Sequence, residues 1–199
     1  MCRTLDYYFA PQSPWMYLGH ARLTELLQRT NTEVRVRPVD FGQIFSVSGG
    51  LPLPQRAPQR QAYRLVELRR FSEALGVPLN PQPRHFPLPG DPAALLITAV
   101  ATHDGAAAAM RLTGAIGQAI WAQERHMADA AELAAVLSEC ELDAQRLAQA
   151  DAADNRALYA QHTREAVDAG VFGAPSYVVD GEIFWGQDRL DFVERCLNA

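Results

Sequence analysis

The stretch Tyr7-Tyr8-Phe9-Ala10-Pro11-Gln12-Ser13-Pro14-Trp15-Met16-Tyr17-Leu18 decides how the chain is read. Its first residues are aromatic and strand-favouring, so a β-strand is predicted from Thr4 to Phe9. Ala10-Pro11-Gln12 breaks it. The chain then restarts as a helix, with Ser13 at the N-cap and Pro14 at the first helical position. Serine caps well because its hydroxyl satisfies an orphan amide, and proline loses nothing where the amide has no partner. A strand running straight into a capped helix leaves free N–H groups and a positive helix end beside the cap. Negative charge is stabilised there. Ser13 is therefore either the reactive centre of an anion site or a helix cap and no more.

Working outward, Pro14 to about Gln28 reads as a helix with an inner stripe of Leu18, Leu23, Leu26 and Leu27. Glu33 to Val39 alternates as a second strand, ended near Pro38, and strand–helix–strand implies a βαβ unit with parallel strands. Gly42 to Gln59 reads as loop. A helix from Gln61 carries Leu65, Leu68, Phe71 and Leu75 and is stopped by Gly76 and Pro78. Pro78 to Pro89 reads as extended. Asp91-Pro92 reads as a cap and N1 proline. Further helices are predicted near Pro92–Thr102, Gly105–Glu124, Ala130–Leu137, Asp143–Gln149 and Ala152–Ala169, the last stopped by Gly170. Strands return at Pro175–Val179 and Glu182–Trp185, joined by the hairpin turn Asp180-Gly181, and Asp188 is read as the cap of a final helix ending near Leu197.

The order is β-α-β, a helical block, then β-β-α. It predicts an α/β chain with a thioredoxin-like fold and a large all-helical insertion. Residues 1–40 and 170–199 form the thioredoxin-like domain, and 41–169 form the helical insertion and connecting helix.

Hydrophobic residues make up 48% of the 199 and charged residues 21%, enough apolar content for one domain with an insertion. A net charge of −5 without a basic stripe argues against nucleic acid as a partner. No charged-then-apolar leader is seen, and the longest apolar run, Ala93 to Ala101, is too short to cross a bilayer. A soluble, cytoplasmic protein with no membrane partner is expected. Cys2, Cys140 and Cys196 are scattered, which argues against a disulfide framework and against a metal site; Cys196 is expected to pack inside.

In a thioredoxin fold the turn after the first strand normally carries Cys-x-x-Cys. Here it reads Ser13-Pro14-Trp15-Met16. Dithiol exchange needs an attacking and a resolving thiolate, and this turn has neither. The anion-stabilising geometry remains, and a hydroxyl suits an external thiolate. Gly173-Ala174-Pro175 precedes the third strand, and the first residue of a strand is where a ladder tolerates proline. In thioredoxin-like folds this proline is cis and faces the reactive turn. The residue before it, Ala174, then offers its N–H and C=O to an extended peptide. The alternative is a trans proline at a strand edge. In Phe184-Trp185-Gly186-Gln187-Asp188-Arg189 a strand again meets a helix start. Gly186 allows close approach, and Gln187 with Asp188 suits a ligand bearing a carboxylate and an ammonium on one carbon. The γ-glutamyl end of glutathione is such a ligand. Taken alone, that stretch reads as a cap supported by Asp191.

Taken together, Asp6-Tyr7-Tyr8-Phe9 leading to Ser13–Leu18, Val171-Phe172-Gly173-Ala174-Pro175, and Phe184–Leu190 carry a resemblance over nearly the whole chain. The chain resembles the 2-hydroxychromene-2-carboxylate isomerases, relatives of kappa-class glutathione transferases within the DsbA-like thioredoxin superfamily. The resemblance implies glutathione as cofactor. Ser13 would meet its sulfur, Ala174 before cis-Pro175 its backbone, and Trp185, Gly186, Gln187 and Asp188 its γ-glutamyl end. Gly50 stands where the glutathione-side loop of relatives often has asparagine. The lysine, Asn-Arg pair and tyrosine that meet the aromatic substrate in relatives fall at Phe45, at Gln55-Arg56 and at His85. Arg56 is kept, Gln55 is a near match, and Phe45 and His85 depart. The implied reaction is glutathione-dependent conversion of a hydroxychromene carboxylate to a trans-hydroxybenzylidenepyruvate in aromatic catabolism, by a homodimer. Arg56 would clamp the substrate carboxylate. A kappa-like transferase, or a thioredoxin-like binding module without catalysis, are the alternatives.

Overall fold

The computed structural model describes residues 3–199; Cys2 lies outside them. Strand β1 (Thr4–Phe9) is central in a four-stranded sheet of order β2-β1-β3-β4. It pairs in parallel with β2 (Glu33–Pro38) and antiparallel with β3 (Ser176–Val179), which pairs antiparallel with β4 (Glu182–Trp185). The thioredoxin-like sheet is as the element order predicts, and everything between β2 and β3 is helix or loop.

Two cores lie on the two faces of this sheet, because side chains alternate along a strand. Leu5, Tyr7, Phe9, Tyr177 and Val179 face one core. There Tyr7 stacks on Phe9 at 4.4 Å and on Tyr177 at 5.6 Å. Helix α1 (Pro14–Thr30) joins them through Leu23, Leu26 and Leu27. The apolar faces of α4 (Asp91–His103) and α5 (Gly105–Trp121) complete the packing. Tyr8 and Val178 face the second core, with Val39, Phe41, Ile44 and Ala166. Arg37 of β2 ties the layers together: it donates to Asp6 of β1 at 2.7 Å and pairs with Glu165.

The region predicted as loop after β2 contains helix α2 (Phe41–Ser48). The Asp40 carboxylate accepts from the Gly42 N–H at 2.7 Å and caps it, Phe41 and Ile44 bury its inner face, and Gly49 ends it at φ 75°. Glycine and serine content hid two buried residues at i and i+3. Helix α3 (Pro58–Leu75) starts three residues earlier than predicted, at a proline, and ends at Gly76 in the left-handed conformation. Asp91 is not a cap: Gly90 holds that position, and Asp91 instead accepts from the Tyr159 hydroxyl at 2.9 Å. Helices α6 (Ala130–Glu139), α7 (Gln145–Ala150) and α8 (Ala153–Asp168) follow.

The Asp180-Gly181 turn has φ 50° and 85°, the positive pair a two-residue hairpin needs. Asp188 is likewise not a cap. A 3-10 turn, Gln187–Arg189, begins after Gly186 and runs into α9 (Leu190–Leu197) without a side-chain cap bond. Cys196 is only partly buried, packed on the edge of the first core.

Candidate active site

Ser13 stands where β1 hands over to α1. Its backbone is extended (φ −74°, ψ 123°) and its N–H donates to the Ala10 carbonyl at 2.9 Å, which fixes the turn. Its hydroxyl accepts from the Met16 N–H at 3.3 Å, a long cap bond that leaves the hydroxyl proton for another acceptor. Around it the first turn of α1 is apolar. Pro14 and Met16 are buried, and Trp15 meets Phe71 of α3 edge-on at 5.7 Å.

The Ala174–Pro175 bond is cis. The β1–β3 ladder runs to Tyr8 opposite Ser176, so Pro175 follows at the end of β1 where the chain turns toward Ser13. The Pro175 carbonyl accepts from the Gly186 N–H at 2.9 Å. Among the described residues, the N–H and C=O of Ala174 have no hydrogen-bond partner. Beside them Trp185, half exposed, lies over Gly173 and meets Phe172 at 4.9 Å. A Cβ on Gly173 would come within 2.2 Å of the Trp185 ring, so glycine is what lets the indole lie there. Gly186 has φ 103°, a conformation that favours glycine.

Gln187 departs from the expectation for its side chain. It is 2% exposed, and its Oε1 and backbone carbonyl accept from Arg22 at 3.1 and 3.2 Å. That side chain holds the turn against α1. Asp188 is partly exposed and its carboxylate pairs with Arg189 at 2.7 Å.

On the insertion side, Phe45 of α2 packs on Phe41 at 5.6 Å and lies over Gly50, where a Cβ would meet its ring at 2.2 Å. Phe45, Phe41, Pro11, Gln12, Pro52 and Tyr159 line a cleft of about 210 Å³ beside the Ser13 turn. Gln55 is exposed in a short 3-10 turn. Arg56 donates through Nε to the Leu51 carbonyl at 2.8 Å, and burial, with Arg60 nearby, lowers its pKa. His85 faces His126, with ring centres 4.9 Å apart. Arg64 feels the charge of Arg56 and stands over the ring of Phe86, the residue after His85, at 5.3 Å.

A DSBA-like thioredoxin domain model matches residues 4–198. A 2-hydroxychromene-2-carboxylate isomerase of Sphingobium xenophagum is 30% identical over 99% of this chain and 99% of its own. The chain belongs to the 2-hydroxychromene-2-carboxylate isomerase family. The solved structure of an isomerase of that name superposes with a TM-score of 0.84 at 23% identity, over 98% of this chain and 94% of that one. The cytosolic disulfide reductase DsbM of Pseudomonas aeruginosa, solved with GSH, superposes at 0.69 and 19% identity, over 98% of this chain and 100% of its own.

As a member of the 2-hydroxychromene-2-carboxylate isomerase family, the chain offers one hydroxyl at a helix N-terminus, one unpaired backbone edge and an aromatic pair beside it. Two further polar groups are not singled out by the sequence. The Gln12 Oε1 is enclosed without a partner against Gly90, and so is the Arg64 Nη2. Arg64 carried a signal, because it stands on the same helical stripe as Leu68 and Phe71. Gln12 carried none.

Proposed function

We propose that this protein is a glutathione-dependent cis-trans isomerase of the 2-hydroxychromene-2-carboxylate type. The carrying observation is the Ser13 hydroxyl, standing in place of a thiol at the N-terminus of α1 with its proton uncommitted. The site fits glutathione. The open N–H and C=O of Ala174 match a peptide backbone, and the Phe172–Trp185 pair gives it a wall. The γ-glutamyl end falls to the backbone around Gly186 and to the Asp188 carboxylate, while the Gln187 side chain is occupied with Arg22.

Held at Ser13, glutathione would supply a thiolate for reversible addition to a conjugated enone, C–S bond formation turning the double bond into a single bond free to rotate and C–S cleavage restoring it. The protein's part is to make that thiolate available. A free thiol has a pKa of about 8.5, and lowering it by two units requires about 2.7 kcal/mol of preference for the anion. One hydrogen bond to a charged group gives about 1.5–3 kcal/mol. A helix end adds about 0.3–1 kcal/mol. Ser13 is therefore the larger of the two contributions. The cleft lined by Phe41, Phe45 and Pro52 opens beside the Ser13 turn and offers an apolar approach to it. By family resemblance the protein works as a homodimer.

The test is an assay on 2-hydroxychromene-2-carboxylate with and without glutathione, with the glutathione recovered and quantified. Turnover that needs glutathione and leaves it unchanged is the expected result. Consumption of glutathione would select a transferase instead, and failure to bind it would leave a binding module.

A further inference from the structure

We infer that Arg64 anchors the carboxylate of the aromatic substrate, an inference that rests on the isomerase reading above. Among the described residues Arg64 forms no ion pair, and its Nη2 is enclosed with no acceptor. Its guanidinium lies 5.3 Å from the ring centre of Phe86 and 5.8 Å from that of Trp121. The Trp121 Nε1 is a second enclosed donor without an acceptor. Two unmet donors in one aromatic nest, one of them cationic, lack the same thing: an anionic acceptor. An enclosed guanidinium N–H costs free energy until an acceptor reaches it. Crowding adds to the cost, since burial and the neighbouring Arg56 bring the Arg64 pKa down to about 10.

A carboxylate at the Arg64 guanidinium would supply the missing acceptor, and the partly buried ring of Phe86 beside it suits a conjugated acid. Arg56, the residue that resemblance puts in this role, has its Nε already given to the Leu51 carbonyl. Arg64 also connects to the reactive turn. Seven residues along the same face of α3, Phe71 meets Trp15, two positions after Ser13.

The experiment uses chromone-2-carboxylate, a planar acid that cannot isomerise, and its carboxamide. Both are titrated against the full chain with glutathione present, following tryptophan fluorescence. The wild type is expected to bind the acid at least tenfold more tightly than the amide. Arg64→Met should erase that preference, Arg64→Lys should keep part of it, and glutathione affinity should stay within twofold in both. The melting temperature of Arg64→Met should equal or exceed that of the wild type, which separates lost binding from lost folding. Acid preference surviving in Arg64→Met, a wild type that does not distinguish the probes, or a fall in glutathione affinity instead would each overturn the anchor. Turnover without an Arg64-dependent preference sinks the anchor and spares the isomerase. An Arg64-dependent preference without turnover does the reverse.

Discussion

Gly19 of α1 and Gln187 touch so closely that a Cβ on Gly19 would stand 2.6 Å from the Gln187 Cβ. That contact seats the turn after β4 on the helix that carries Ser13. Gly19→Ala must force the two apart, because the obstructing atom is not the free end of a side chain. Overpacking of this kind costs about 1–3 kcal/mol. Urea unfolding should show a loss in that range, and the dissociation constant for glutathione should rise. An unchanged midpoint would mean the turn moves freely and does not position the site.

Ser13→Ala should keep glutathione binding but raise the pKa of the bound thiol and cut turnover about tenfold or more, the kinetic equivalent of about 1.4 kcal/mol. Stability should fall by about 1 kcal/mol through loss of the cap. Ser13→Cys should recover little, since a thiol is a weak donor. Thiolate absorbance against pH reads this directly. Coincident titrations for wild type and Ser13→Ala would reduce Ser13 to its bond with Met16.

Trp185→Ala should weaken glutathione binding at least fivefold with little change in melting temperature, because the indole is half exposed and covers the Gly173–Ala174 edge. Calorimetric titration measures the first and a thermal melt the second. A large loss of stability with unchanged affinity would make the indole a packing residue.

Two histidines set the acid limit. Burial lowers the pKa of His20 to about 4, against the opposing bond to the Met110 carbonyl, and lowers that of His162 to about 4, with Arg37 adding to the effect. Both are neutral when folded, while an unfolded histidine titrates near 6.5. Between pH ~6.5 and ~4 the unfolded chain therefore binds more protons. The stabilisation is full above that window, falls as pH drops through it, and stays lost below. Melting temperature should decline from pH 7 to pH 4.5, and His162→Gln should flatten the slope. A flat profile in the wild type would contradict the neutral, buried assignment.

The site was legible where one residue imposes its geometry by chemistry. Ser13-Pro14 announces a capped helix, Asp180-Gly181 a hairpin, and the proline after Ala174 the open edge beside it. Residues whose role depends on what arrives from elsewhere were not legible. Gln187 looked like a ligand group until Arg22 was seen to occupy it, and Asp91 looked like a cap until Tyr159 claimed it. Helix α2 was hidden because its cap and stop residues, Asp40 and Gly49, are also loop residues.

The central strand finishes at Phe9, yet its antiparallel neighbour begins only at Ser176. During synthesis β1 and β2 emerge early, and one edge of β1 then waits while the whole helical block is made. Closing so distant a contact is slow. An open edge with Tyr7 and Tyr8 along it is the kind of template on which nascent chains pair wrongly. Folding of this protein is thus governed by how well the growing chain shields one strand until its far end arrives, and truncation before residue 176 should yield aggregates rather than a smaller stable domain.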